Sequence, residues 1–205
     1  MIVALEGLDN CGKTTITNLL NEYYKGKSIK IEISKEFLTP IGKILKEMVV
    51  NDDIDPTLKA YLFAADRYYR MKEIDYTEKK IYIFDRYVPS AMAYREAEGI
   101  NLNWIRSINE IFPTPDLCFF IDITAKESIK RNTDTKFNIR YSEEYLNKVR
   151  ECYLSYLEEY DMIYLDGNNK LEETMMEIVF YIDREIEKND NKSKAVKVKG
   201  KVNGI

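Results

Sequence analysis

The chain reads as an α/β fold built on a parallel sheet, and three observations predict it. Short apolar runs alternate with longer helical stretches along the 205 residues, the pattern of strands joined by helical crossovers. The first apolar run, 2–5, leads directly into Gly7-Leu8-Asp9-Asn10-Cys11-Gly12-Lys13-Thr14 and then a helix-forming stretch over 15–24. That is a G-x-x-x-x-G-K-[ST] loop in its strand–loop–helix context. Two further helices announce themselves by proline behind a capping residue, at Thr39-Pro40 and Asp55-Pro56.

Each element follows in order. The strand over 2–5 is uninterruptedly apolar, as a strand buried on both faces must be. Gly7 and Gly12 permit backbone conformations closed to other residues, so successive N–H groups turn inward and cradle phosphate oxygens. The helix behind them offers its N-terminus to the same anion. Lys13 supplies a charge for the outer phosphates, and the Thr14 hydroxyl suits Mg²⁺. The loop residues Gly7, Leu8, Asp9, Asn10, Cys11, Gly12, Lys13, Thr14 and Thr15 are therefore expected to bind a nucleoside triphosphate. Later strands are expected over 28–33, 81–84, 117–122 and 162–165, which makes five. Further helices are expected over 88–98, 101–111, 125–132, 142–160 and 170–188. From 189 to 205 the composition turns to Lys, Asn, Gly and Val. This Lys-rich tail is expected to be frayed or disordered, or at most to add an edge strand through its Val-Lys alternation. The chain is read as one domain over 1–188.

Composition excludes several classes. The net charge of −4 offers no general attraction to nucleic acid or an anionic membrane. No run approaches the roughly 18 apolar residues of a membrane span. The three cysteines, Cys11, Cys118 and Cys152, lack metal-ligand spacing and read as free thiols, which fits a cytoplasmic protein. Cys11 is expected to fill space. There is no histidine, so no mechanism uses an imidazole base.

In an open α/β sheet, ligands bind beyond the carboxyl ends of the strands. The strand over 81–84 ends in Asp85-Arg86-Tyr87. Asp85 is placed to hold Mg²⁺ through water, and the fork of Arg86 matches phosphate oxygens. Phe63 and Arg67, four apart, share a helical face and suit stacking on a base and bonding its carbonyl. Asp66 stands ready to pair with Arg67. Tyr94 is expected to face the same cleft.

Glu6-Gly7-Leu8-Asp9, Leu62-Phe63-Ala64-Ala65-Asp66-Arg67, Asp85-Arg86-Tyr87 with Ser90 and Tyr94, and Pro115-Asp116-Leu117 together resemble the thymidylate kinase family. The resemblance covers roughly 1–187. It implies the three-layer fold of the phosphate-loop nucleoside monophosphate kinases, a short lid, a homodimer, and transfer of phosphate from ATP to dTMP. It gives Asp9 a role at the acceptor 3′-hydroxyl, and has Phe63 stack on thymine while Arg67 bonds it. Arg86 would bridge the phosphates, with Ser90 beside it, and Tyr94 would crowd the 2′ position. The segment 131–141 reads as the lid. The loop carries Asn10 where some members place Arg, so Arg131, Lys136 or Arg140 is expected to supply the catalytic cation. Members commonly carry Arg-Glu-Pro after the second strand. This chain has Ser34-Lys35-Glu36-Phe37-Leu38, one residue shorter and without Arg, so Lys35 is the substitute as a point charge.

Other readings stay open: a related kinase with another acceptor, and a non-catalytic ATP-binding sensor or assembly protein. A GTPase would need Asn-Lys-x-Asp, and Asn169-Lys170-Leu171-Glu172 fails at its last residue.

Overall fold

The computed structural model describes residues 1–27, 29–51, 54–75, 78, 80–132 and 141–202, with the backbone alone over 192–202. In chain order the elements are β1 (Ile2–Glu6), α1 (Lys13–Lys25), β2 (Lys30–Lys35), α2 (Pro40–Val50), α3 (Pro56–Lys72), β3 (Lys80–Asp85) and α4 (Val88–Ala97). Then come α5 (Leu102–Asn109), β4 (Leu117–Asp122), α6 (Ala125–Lys130), α7 (Glu143–Ser155), β5 (Met162–Asp166) and α8 (Leu171–Val202).

The five strands form one all-parallel sheet in the order β2-β3-β1-β4-β5. The β1–β2 crossover runs one way across the sheet, and the β2–β3, β3–β4 and β4–β5 crossovers run the other. Right-handed connections therefore put α1 on one face and α2 to α7 on the opposite face. Packing agrees: α1 meets α8, while α2 meets α3, α3 and α5 meet α4, and α4 meets α7. The direction of travel reverses around β1, so the crevice opens at the carboxyl ends of β1, β3 and β4. Those central strands are almost wholly buried.

Local signals explain most boundaries. Thr39 accepts from the Gly42 N–H at 2.9 Å, and Asp55 accepts from Thr57 and Leu58 N–H at 2.9 and 3.1 Å. Both caps sit just ahead of proline, as the sequence signals. The second strand ends later than its apolar residues suggest. Pairing with β3 runs from Lys30 opposite Lys80 to Lys35 opposite Asp85, and ladder bonds do not require apolar side chains.

The helical backbone of α8 continues to Val202. The stretch holds no proline, and each added turn is cheap once a packed helix has nucleated it.

Candidate active site

The phosphate loop is held open by its glycines. Gly7 and Gly12 have φ of 138° and 103°, values closed to most side chains. A Cβ on Gly7 would stand 2.4 Å from the Ile121 carbonyl oxygen, so the loop presses directly on the end of β4. Leu8 and Cys11 are buried and anchor it from beneath. Asn10, at φ 61°, donates its amide to the Ser128 carbonyl at 3.0 Å. The Ser128 hydroxyl in turn donates to the Asp9 carbonyl at 2.7 Å. The position without Arg therefore staples the loop to α6.

Lys13 is almost fully buried, and its ammonium donates to the carbonyls of Gly7 at 3.1 Å and Leu8 at 2.7 Å. Cys11 Sγ is a third acceptor at 3.4 Å. The Thr14 hydroxyl donates to Asp85 Oδ2 at 2.6 Å, which brings the two expected metal-binding residues together. Their oxygens suit a hard cation that keeps several waters and completes its shell with phosphate. The donor set fits Mg²⁺, and the glycine cradle fits a triphosphate.

Beside the loop lies a second polar cluster built around Glu6 and Arg86. Glu6, at the end of β1, is 0% exposed. It accepts from the Tyr87 N–H at 2.8 Å, from the Ser90 hydroxyl, and from the Tyr153 hydroxyl at 3.3 Å. Burial pushes its carboxyl above the ordinary range, against the pull of Ser90, Arg86 and the Tyr87 N–H. Arg86 adopts φ 73°, an uncommon conformation for a residue with a side chain. Its Nη1 donates to the Gly7 carbonyl, the Ser90 hydroxyl and the Tyr153 hydroxyl at 3.1–3.3 Å. Its Nη2 donates to Asp9 Oδ1 at 2.5 Å and to the Tyr94 hydroxyl at 3.0 Å. For Asp9 burial raises the pKa, but the charges of Arg86 and Lys13 outweigh it and hold the carboxyl below its ordinary value.

Two adjacent cavities meet here, of about 650 and 1040 Å³ with space open to solvent included. The first contains Phe63, Arg67, Ser90 and Tyr94 in its walls. The second is bounded by Asn10, Lys13, Thr14, Lys35, Asp85 and Arg131. Asp9, Glu36, Phe37 and Arg86 belong to both. A ligand in each cavity would therefore meet the other across the Arg86 guanidinium.

The structure thus assembles most of the sequence-derived residues around one crevice. Arg131 is held by Glu127 Oε1 at 2.8 Å and by the Gly167 carbonyl at 3.0 Å. Lys136 and Arg140 lie outside the described residues. One expected pairing is corrected: Asp66 turns away from Arg67. It accepts from the Thr39 hydroxyl at 2.5 Å and lies 3.2 Å from Arg70 Nε. Adjacent residues on a helix point about 100° apart, whereas residues four apart meet.

Sequence reasoning missed Glu36, Asn109 and Tyr153. Glu36 is the middle of the altered Lys-Glu-Phe run, and its Oε2 lies 3.9 Å from Arg86 Nε. Burial drives its carboxyl upward despite Arg86 and Arg70. Asn109 and Tyr153 come from helices whose local sequence carries no chemical motif, so only the tertiary fold brings them in.

Comparison with known proteins bears on the same crevice. The thymidylate kinase family profile matches residues 5–178. Over 173 residues the chain is 36% identical to a probable thymidylate kinase of Sulfurisphaera tokodaii, covering 83% of this chain and 90% of that one. It is 32% identical over 188 residues to probable thymidylate kinase 1 of Saccharolobus solfataricus, covering 90% and 98%. A probable thymidylate kinase of Pyrococcus horikoshii is 33% identical over 199 residues, with 90% and 96% covered. The chain belongs to the thymidylate kinase family and is a phosphotransferase of the nucleoside monophosphate kinase type.

Proposed function

We propose that this protein transfers the γ-phosphoryl group of ATP to dTMP, giving dTDP and ADP. The observation that carries the reading is the pair of cavities sharing Asp9 and Arg86. One has a glycine cradle with Lys13, Thr14 and Asp85; the other has an aromatic and a buried Arg suited to a base.

ATP occupies the cradle, with its phosphates on the loop N–H groups and the N-terminus of α1. Lys13 Nζ exchanges the Gly7 and Leu8 carbonyls for phosphate oxygens. Thr14 and Asp85 hold Mg²⁺, which neutralises charge on the outer phosphates. In the acceptor cavity Phe63 stacks on the thymine and Arg67 donates to its carbonyl. Tyr94, fixed by Arg86 and Asp9, closes the space at the 2′ position. Asp9 accepts from the 3′-hydroxyl, and Lys35 and Arg86 bind the acceptor phosphate. The nucleophile is a phosphate oxygen already ionised at neutral pH, so no general base is required. Alignment and charge neutralisation supply the catalysis, which suits a chain without histidine. Arg131 adds positive charge on the ATP side.

An acceptor other than dTMP is the second reading, and the shortened 34–38 segment favours it. Lys35 reaches the second cavity in place of a guanidinium, and a point charge fixes a phosphate less strictly than a fork. Copies of the chain pair through α2 and α3, where Ile44, Leu58, Tyr61 and Tyr68 are 40–60% exposed. Sedimentation at micromolar concentration tests that pairing, which a monomer would refute.

The test of the activity is ADP release with Mg-ATP against dTMP, dUMP, UMP, dCMP, dAMP, dGMP, thymidine and no acceptor. Turnover led by dTMP with UMP poor supports the proposal. Turnover led by another acceptor defeats the thymidylate assignment. Silence with ATP still bound defeats the transferase role for these acceptors.

A further inference from the structure

We propose that Asn109 is a positioning residue for acceptor recognition: it orients Arg67 toward the base without neutralising its charge. This rests on the acceptor cavity taking a pyrimidine nucleotide, as argued above.

Arg67 is 0% exposed, an expensive place for a cation. Most buried arginines are compensated by a carboxylate, but among the described residues none lies within ion-pair distance of this one. Its neighbour Asp66 is committed to Thr39 and Arg70. Instead Arg67 Nη1 donates to Asn109 Oδ1 at 2.7 Å and Nη2 to the Tyr87 carbonyl at 3.0 Å. The guanidinium rests against the rings of Phe112 at 5.2 Å and Tyr87 at 5.9 Å. Its Nε has no hydrogen-bond partner among the described residues. Burial and the neighbouring Arg70 lower its pKa to about 10, still far above neutrality, so the group stays charged.

Asn109 is itself held in one orientation. Its Nδ2 donates to the Ile105 carbonyl at 2.8 Å, which leaves Oδ1 to face Arg67. The residue ends α5, where the helix dipole also favours a cation. Arg67 and Asn109 both border the acceptor cavity. An amide at this site fixes the fork through one neutral acceptor. A carboxylate would accept two N–H groups and cancel the charge, leaving a weaker donor for the base. A site that reads a carbonyl by a buried donor rejects an amino group at the same place. Asn109 therefore underlies discrimination between a 4-carbonyl pyrimidine and a 4-amino one.

The experiment compares Asn109→Asp, Asn109→Ser and Arg67→Met, singly and combined, in the full chain. Steady-state rates with dTMP and dCMP, and thermal melts, are the readouts. Asn109→Asp is close to isosteric but loses the donor to the Ile105 carbonyl, so it should melt lower than wild type while still folding, and the melts establish that it does. Its KM for dTMP should rise about tenfold with kcat and the KM for ATP unchanged, and the preference for dTMP over dCMP should shrink. In the Arg67→Met background it should change KM no further. An unchanged KM in Asn109→Asp, or an equal loss with and without Arg67, overturns the proposal. So does a normal KM in Arg67→Met. If Asn109→Asp does not fold, Asn109→Ser runs the same cycle. A wild type that prefers another acceptor defeats the thymidylate reading alone, and the cycle is then read with that acceptor.

Discussion

Arg86 Nη2 stands 2.5 Å from Asp9 Oδ1, which ties the end of β3 to the phosphate loop across 77 residues of sequence. Neither residue is free to move without the other, because Arg86 also holds the Gly7 carbonyl and the Tyr94 hydroxyl. The cation between the two cavities is thus placed before either ligand arrives, which is the condition for electrostatic stabilisation of a transition state.

Arg86→Ala should lower turnover by several orders of magnitude while the affinity for ATP changes little, since the lost charge acts on the transferring group. Arg86→Lys should rescue only a small part. An ammonium cannot reach Asp9, Gly7 and Tyr94 together as the planar fork does. Single-turnover rates with ATP binding measured by calorimetry check both. Normal turnover in Arg86→Ala would remove this residue from the chemistry.

The Thr14–Asp85 contact yields a prediction about metal. Asp85→Asn removes a charged oxygen from a site whose other protein donor is a hydroxyl. The Mg²⁺ concentration for half-maximal rate should rise at least tenfold, on the order of 1.4 kcal/mol in affinity. Saturating Mg²⁺ should recover much of the rate. A magnesium titration checks it, and an unshifted midpoint would mean that Asp85 does not serve the metal.

The phosphate loop and Asp85-Arg86 were legible in the sequence because their chemistry depends on local spacing: a strand end, two glycines, a helix start. The parallel sheet was legible for the same reason, through short apolar runs. Glu36, Asn109 and Tyr153 were not, since each is brought in by a separate crossover that local sequence does not encode. The Asp66 pairing failed differently. Adjacency in sequence suggested Arg67, but helical geometry gave the carboxylate to Arg70.

Gly42→Ala tests the packing behind the 34–38 segment. A Cβ there would stand 2.4 Å from Asp66 Oδ1 and 2.7 Å from Phe37 Cα. The first contact is a side chain locked by Thr39 and Arg70, and the second is backbone already at φ 67°, so neither yields cheaply. The variant should melt several degrees lower and show a raised KM for the acceptor, because Phe37 packs edge-on against Phe63 at 5.7 Å. The KM for ATP should hold. A melt and acceptor KM equal to wild type would show that this loop tolerates displacement.

Glu6 supplies a prediction whose sign depends on pH. Burial raises its folded-state pKa above the ordinary 4.5, so the folded protein favours the protonated form more than the unfolded chain does. The associated stability is fully present below about pH 4.5 and is lost as pH rises through the raised value. Glu6→Gln remains neutral throughout and retains an acceptor for the Tyr87 N–H. It should therefore melt higher than wild type at pH 7 to 8, by roughly 2–4 °C per kcal/mol recovered. Below about pH 4.5 the gap should close, because wild-type Glu6 is then protonated as well. The other carboxylates titrate in both proteins and cancel in the difference. The gain in stability should come with slower turnover, since Glu6 balances Arg86 and orders Ser90 and Tyr153 beside it. Paired thermal melts across pH 4 to 8 measure the difference directly. A gap that widens toward acid would mean that Glu6 is held ionised by Arg86 and stabilises the fold at neutral pH.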